Sequence, residues 1–328
     1  MTPNDRSNHH RVVVYGAGAV GGVIAGRLQL AGVNVTAVAR GSHLDAIRRD
    51  GLQLETQAGC ETVTIATAAD AGEICWTAET LVVLAVKSHQ TAAALGDLAT
   101  HAPPKTPILV AQNGVANEAA VLRRFPNVYG ITVMLPSAHL EPGVVVQQSY
   151  PVAGILDLGC FPSGSDDTAE AASAMLRSAQ FASQVREDIM AWKYRKLIAN
   201  LANGVIATYG VSPDTDELMR RAREEAEQVL AAAGIAVVTA DQDRERRGEL
   251  LQGRARQDAY GSTWQSIARG RADVETDWLN GEIVLTARLH GLAAPVNELI
   301  QRVTTEHARS GHAPRSRDAA PDLAGLIG

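Results

Sequence analysis

Cysteine is scarce, with Cys60, Cys75 and Cys160 the only three in 328 residues. An odd number, far apart and without a C-x-x-C, excludes a disulfide framework and a Cys₄ zinc site, and it fits a reducing compartment. The nine histidines are scattered except for His9 and His10, so the sequence offers no metal constellation. Positive charge is not in excess either: 30 Lys+Arg stand against 36 Asp+Glu, a net charge of −6. No field exists to attract nucleic acid or an anionic membrane surface. A long uncharged run is present only superficially. From Val12 to Ala39 the single charge is Arg27, yet Gly16, Gly18, Gly21, Gly22 and Gly26 interrupt it, and residues 33–38 alternate like a strand. With no targeting segment, the expected address is the cytoplasm.

Apolar residues make up 46% and charged residues 20%, the balance of a folded globular chain long enough for about two domains. Residues 1–10 read as a polar, flexible leader. Strands are expected over 11–15, 33–38, 81–86 and 107–111, largely apolar and separated by helical stretches, which predicts a parallel sheet covered on both faces. After about residue 185 helical periods dominate, over 187–206, 213–233, 275–290 and 295–308. Ser212-Pro213 starts one of these helices and Gly234 stops it. Residues 310–328 mix Pro, Gly, Arg and Asp without periodicity and are expected to be a disordered tail.

Gly16-Ala17-Gly18-Ala19-Val20-Gly21 follows a buried strand and opens a helix, within about 30 residues of a second strand. Gly16 permits a tight turn, Gly18 lets backbone approach a pyrophosphate, and Gly21 lets helix lie close on strand. The helix N-terminus then offers free N–H groups to that anion. The chain is therefore read as an α/β Rossmann-type dinucleotide-binding domain over 11–185, followed by an all-α domain over 186–309. A glycine-rich turn that binds nothing is the plainer alternative. The second strand ends Val38-Ala39-Arg40, without the acid that usually accepts from the NAD ribose. Arg40 suits a 2′-phosphate instead, favouring NADP(H), although a solvated arginine would look the same in sequence.

Two other strand ends carry polar residues where ligands bind in such sheets: Lys87-Ser88-His89-Gln90 and Gln112-Asn113-Gly114. A helix cap at Ser88 and a turn at Asn113-Gly114 would also explain them. In the helical domain Lys196, Asn200 and Asn203 stand at i, i+4 and i+7 on one stripe. Short amides below a lysine, on an otherwise apolar helix, need partners or a polar ligand, unless the stripe is simply a solvated face. Ser262-Thr263 and Glu275-Thr276-Asp277-Trp278-Leu279-Asn280-Gly281 read, by spacing alone, as ordinary helix starts.

Together these motifs resemble the ketopantoate reductase (2-dehydropantoate 2-reductase) family, from about Arg11 to Arg309. The glycine loop, Val86-Lys87-Ser88-His89-Gln90, Gln112-Asn113-Gly114, Arg195-Lys196-Leu197 with Trp192 and Asn200, and the segment from Glu275 to Gly281 stand in the family's order. The resemblance implies NADPH-dependent reduction of a 2-oxo acid to its 2-hydroxy acid, a step of pantothenate biosynthesis when the substrate is ketopantoate. Lys196 corresponds to the catalytic lysine and Glu275 to the substrate-orienting glutamate. Lys87, Gln90 and Asn113 fall beside the cofactor, Arg40 at its 2′-phosphate, and Asn113, Asn200, Asn203, Ser262 and Thr263 around the substrate. A homodimer is one assembly the resemblance allows. Two positions depart from the pattern. Gly204 stands where a second asparagine is usual, with Asn203 one residue earlier, and Thr263 replaces a common serine.

The residues rationalise that chemistry. Hydride arriving at a ketone carbon leaves charge on oxygen, which a lysine ammonium can stabilise and protonate. Lys196 and Glu275 lie on different expected helices, and the cofactor loop lies on another domain, which predicts a site where the domains meet. A β-hydroxyacid-type dehydrogenase would want an acid in place of Arg40. A non-catalytic NADP-binding sensor would not need Lys196, Asn200 and Glu275 together.

Overall fold

Alternation within the first strand decides where its two faces go. Val12 and Val14 enter one apolar core with Val23, Ile24 and Leu28, whereas Val13 and Tyr15 enter another with Leu95 and Leu98. A strand buried on both faces belongs in the middle of a parallel sheet, and each fully buried Val or Leu stabilises it by roughly 1.5–3 kcal/mol. The computed structural model, which describes residues 11–253 and 261–326, has this arrangement. The leader expected over 1–10 lies outside the described residues, as do 254–260 and 327–328.

Among the described residues the chain forms two compact units: 11–112, 117–189 and 249–253 in the first, and 113–116, 190–248 and 261–326 in the second. The strands in chain order are β1 (Arg11–Tyr15), β2 (Asn34–Val38), β3 (Leu52–Thr56), β4 (Gly59–Val63), β5 (Ala66–Ala68) and β6 (Thr80–Leu84). They continue with β7 (Ile108–Val110), β8 (Val128–Met134), β9 (Ser137–Ala138), β10 (Val144–Gln147), β11 (Tyr150–Pro151), β12 (Ile155–Cys160) and β13 (Leu251–Gln252). Seven of them form one sheet in the order β12-β8-β7-β6-β1-β2-β5, parallel except for the β8–β12 edge. Helices α1 (Ala19–Leu30), α2 (Gly41–Asp50), α3 (Thr91–His101), α4 (Asn117–Leu122) and α5 (Asp167–Ser178) complete the unit. The result is a Rossmann-type α/β fold. The strands expected over 81–86 and 107–111 end at Leu84 and Val110, where the chain leaves the ladder for its polar loops.

The second unit is helical: α6 (Ile189–Asn200), α7 (Ala202–Thr208), α8 (Pro213–Ala232), α9 (Ala240–Arg247), α10 (Ser262–Ala268), α11 (Asn280–Leu289), α12 (Pro295–Arg309) and α13 (Ala320–Ala324). The helix expected over 187–206 is parted at Leu201, whose carbonyl accepts from Asn280 Nδ2 at 3.3 Å. The one expected over 275–290 is a 3₁₀ turn, Glu275–Trp278, followed by α11, because buried Leu279 between them takes φ −117°, ψ −90°.

The expected disordered tail needs correction. Tyr209 OH donates to Asp322 Oδ2 at 2.8 Å, Arg317 Nε donates to the same atom at 2.7 Å, and Gly210 N donates to Arg317 O at 3.1 Å. Ala319, Leu323 and Leu326 join the cluster around Tyr209 and Leu218. Their i, i+4, i+7 spacing is helical, a signal that the polar composition conceals. Among the described residues no helix is long and apolar enough to cross a membrane.

Candidate active site

The glycine loop is shaped by what its glycines would otherwise strike. Gly16 takes φ +106°, and a Cβ there would lie 2.8 Å from both the backbone N and Cγ1 of Val86. A Cβ on Gly21 would lie 2.0 Å from Gly16 O, so helix and loop approach this closely only without side chains. At Gly18, the N-cap of α1, a Cβ would meet nothing within 4 Å. The loop thus keeps an open face over a helix N-terminus that has no side-chain cap and no acid in its first turn. Free N–H groups and the positive end of the helix dipole face that side. Gly16 and Ala17 N–H both donate to Val38 O, at 3.1 and 2.9 Å, while Ala19 and Val20 begin the helix. This is a cradle that fits a dinucleotide pyrophosphate.

Val38 ends β2, and exposed Arg40 follows as the N-cap of α2. Tyr15, at the end of β1, donates to Asp97. Burial and then Asp97 push the Tyr15 hydroxyl's pKa up, and the Arg40 guanidinium opposes this, which puts Arg40 beside the end of β1. After β6, Gln90 Oε1 accepts from Lys87 N at 3.3 Å. A buried network holds this segment: Gln112 Nε2 donates to Val86 O and Thr91 Oγ1, Thr91 Oγ1 to Asn117 Oδ1, and Asn117 Nδ2 to Ser88 Oγ. Thr91 and Asn117 carry no motif of their own, and only the fold reveals them.

Asn113 belongs with the helical unit. Gly114 takes φ +84°, with a hypothetical Cβ 2.8 Å from Trp278 O, and Val115 enters the core beside Leu197, Leu201 and Leu279. Asn200, buried on α6, donates through Nδ2 to Asn113 Oδ1 at 3.0 Å. One turn earlier, burial and then the Arg247 charge bring the Lys196 pKa down to about 8, against the opposing charge of Asp243. Arg247 and Asp243 are themselves paired at 2.9 Å on α9. Sequence spacing gave no hint of this pair, which lies more than 40 positions from the lysine.

Asn203 and Gly204 part ways. A Cβ on Gly204 would lie 2.9 Å from Thr304 Oγ1 and 3.2 Å from Ile300 Cγ2, so an asparagine there would require these side chains to shift. Asn203 Oδ1 instead sits 3.5 Å from where Gly261 would carry a Cβ, immediately before Ser262 at the start of α10. Thr263 is buried, and its Oγ1 has no hydrogen-bond partner among the described residues. Such an orphan costs about 1–3 kcal/mol unless a ligand or water meets it. Glu275 is buried in the 3₁₀ turn. The structure therefore brings Asn113 to Asn200 and Asn203 to the head of α10, and it puts Lys196 under the electrostatic influence of the α9 ion pair.

The comparisons with known proteins agree along the chain. The family model for ketopantoate reductase PanE/ApbA matches residues 12–163, and that for its C-terminal part matches residues 188–308. This chain belongs to the ketopantoate reductase family. A 2-dehydropantoate 2-reductase of Pyrococcus horikoshii is 31% identical over 297 residues, covering 88% of this chain and 95% of its own. A ketopantoate reductase family crystal structure from Ralstonia eutropha JMP134 superposes with TM-score 0.76 at 26% identity, over 92% of this chain and 99% of that one. D-mandelate dehydrogenase, solved with NADH and anilino(oxo)acetate, reaches TM-score 0.80 over 92% of this chain and 99% of its own. Its identity of 20% makes that a likeness of fold alone. As a member of the ketopantoate reductase family, the chain is an oxidoreductase acting on a CH–OH/keto group.

Proposed function

We propose that this chain reduces a 2-oxo acid, ketopantoate or a close relative, to the 2-hydroxy acid with NADPH, and that Lys196 is the general acid. The observation that carries the reading is the run of Lys196 and Asn200 on α6, with Asn200 bonded to Asn113. Gly16, Ala17, Gly18, Ala19, Val20 and Gly21 would hold the pyrophosphate and Arg40 the 2′-phosphate, and Lys87, Gln90 and Asn113 would contribute to binding the nicotinamide. When bound, the reduced nicotinamide supplies a hydride. Lys196 meets the charge that develops on the carbonyl oxygen and gives up a proton from Nζ. A pKa near 8 leaves the ammonium mostly protonated at neutral pH and makes it a stronger acid than an ordinary lysine. Asn200, Asn203, Ser262 and Thr263 hold the substrate's polar groups without adding charge, and the orphan Thr263 hydroxyl supports a ligand contact there. Glu275 orients the hydroxyl.

A panel of 2-oxo acids that includes ketopantoate, assayed with NADPH and with NADH, tests this. Turnover of at least one 2-oxo acid with NADPH is expected, with Lys196→Ala slower by about 10²-fold or more at saturating ligands. No turnover of any 2-oxo acid, or a Lys196→Ala rate within a few-fold of the unaltered chain, overturns the proposal.

A further inference from the structure

His43 joins two backbone segments that its own helix does not contain. It lies in the first turn of α2, three residues after Arg40. Its Nε2 is 2.7 Å from the carbonyl oxygen of Ala17, and its Nδ1 is 2.8 Å from the N–H of Gly143. A carbonyl can only accept and an N–H can only donate, so Nε2 carries the proton and Nδ1 is bare. Both ring nitrogens are spent on backbone. Both backbone groups of Ala17 are thereby held, its N–H on Val38 O and its carbonyl on His43.

The surroundings hold the ring in that state. Burial and then the neighbouring His139 bring its pKa down to about 4, against the opposing bond to Ala17. The His139 ring lies 4.1 Å away, centroid to centroid, with its Nδ1 3.0 Å from Val144 O. Gly143 takes φ +80°, and a Cβ on it would lie 2.9 Å from Ala46 Cβ, so only glycine brings that N–H to His43.

We propose that His43 is a positioning residue for the dinucleotide, fixing the glycine loop to the start of α2 and so setting the loop's place relative to Arg40. This rests on the cofactor reading above. It does not make His43 a catalytic residue, because its nitrogens are already occupied.

The test compares three substitutions by direct titration of NADPH, followed by nicotinamide fluorescence. His43→Gln keeps a donor near the reach of Nε2, His43→Asn keeps only an acceptor near Nδ1, and His43→Ala keeps neither. The Kd for NADPH is expected to rise about tenfold in His43→Ala and His43→Asn and to return most of the way in His43→Gln. In all three, kcat at saturating NADPH stays within about twofold, the split that separates positioning from catalysis. Imidazole ¹⁵N shifts of the unaltered protein without cofactor report the Nε2–H tautomer. An unchanged Kd in His43→Ala, equal losses in the Gln and Asn variants, or the opposite tautomer overturns the proposal. Where His43→Ala does not fold, the Gln and Asn variants decide by the same comparison. An unaltered chain that binds neither NADPH nor NADH overturns the cofactor reading itself, which keeps the two failures apart.

Discussion

Asn200 Nδ2 donates to Asn113 Oδ1 at 3.0 Å, linking an amide on α6 to one in the loop after β7 across 87 sequence positions. The bond uses one donor and one acceptor, so Asn113 keeps its NH₂ and Asn200 its carbonyl for further contacts. Residues that act as one unit lose their effect together. Asn113→Ala and Asn200→Ala are each expected to lower kcat/KM by about tenfold, and the double variant by little more than either alone. A double-mutant cycle should return a coupling of about 1 kcal/mol, and losses that simply multiply would show two independent residues.

As the proposed general acid, Lys196 sets the direction of the pH response. Its pKa lies near 8 in the folded chain against an ordinary 10.5, and the acid must carry its proton. The rate of reduction, kcat/KM, is therefore flat below about pH 8 and falls above it. Arg247→Gln removes an opposing charge and should move the falling limb up, whereas Asp243→Asn should move it down. Stability responds with the opposite sign. Between about pH 8 and 10.5 the unfolded chain binds the proton that the folded chain has released, so this group adds stability as pH rises through that window. A limb that stays in place in both α9 variants would detach the ion pair from Lys196.

On the proposed reading, Arg40 carries the choice between the two nicotinamide cofactors. It stands exposed just after β2, a strand that ends without the acid that would accept from a ribose hydroxyl. A charge-assisted bond contributes about 1.5–3 kcal/mol, so Arg40→Ala should weaken NADPH by about 10- to 100-fold. NADH should change little. Titration of both dinucleotides checks this, and equal affinities in the unaltered chain would remove the basis for it.

The C-terminal segment is a structural element of the helical unit. Ending the chain at Arg309 removes the partners of Tyr209 and uncovers its apolar surroundings. The expected loss is roughly 2–4 kcal/mol, seen as a Tm lower by about 5 °C or more. NADPH affinity should stay within about twofold, since the glycine loop and Arg40 belong to the other unit. An unchanged melting curve would mean that the Tyr209–Asp322 and Arg317–Asp322 bonds contribute nothing.

Local, contiguous signals were legible from the sequence. The buried strand at Arg11–Tyr15, the glycine loop, the helix begun by Ser212-Pro213 and closed before Gly234, and the residue that follows β2 all depend on neighbours within a few positions. So did the pairing of Lys196 with Asn200 on one helical face. Tertiary structure alone decided the rest, because each remaining feature needs a partner far along the chain. Asn113 joins the helical unit through Gly114 against Trp278 and Val115 in the core of α6 and α11. The α6–α7 break at Leu201 is where Asn280 reaches the carbonyl, and a side chain at Gly204 would meet Thr304 and Ile300, which lie against it. The polar tail folds because three apolar side chains meet Tyr209. Hydrophobic period and turn chemistry act over one or two turns of chain. A lowered lysine pKa, an amide–amide bond and a histidine held between two backbone groups depend on burial and on charges brought close only when the chain has folded.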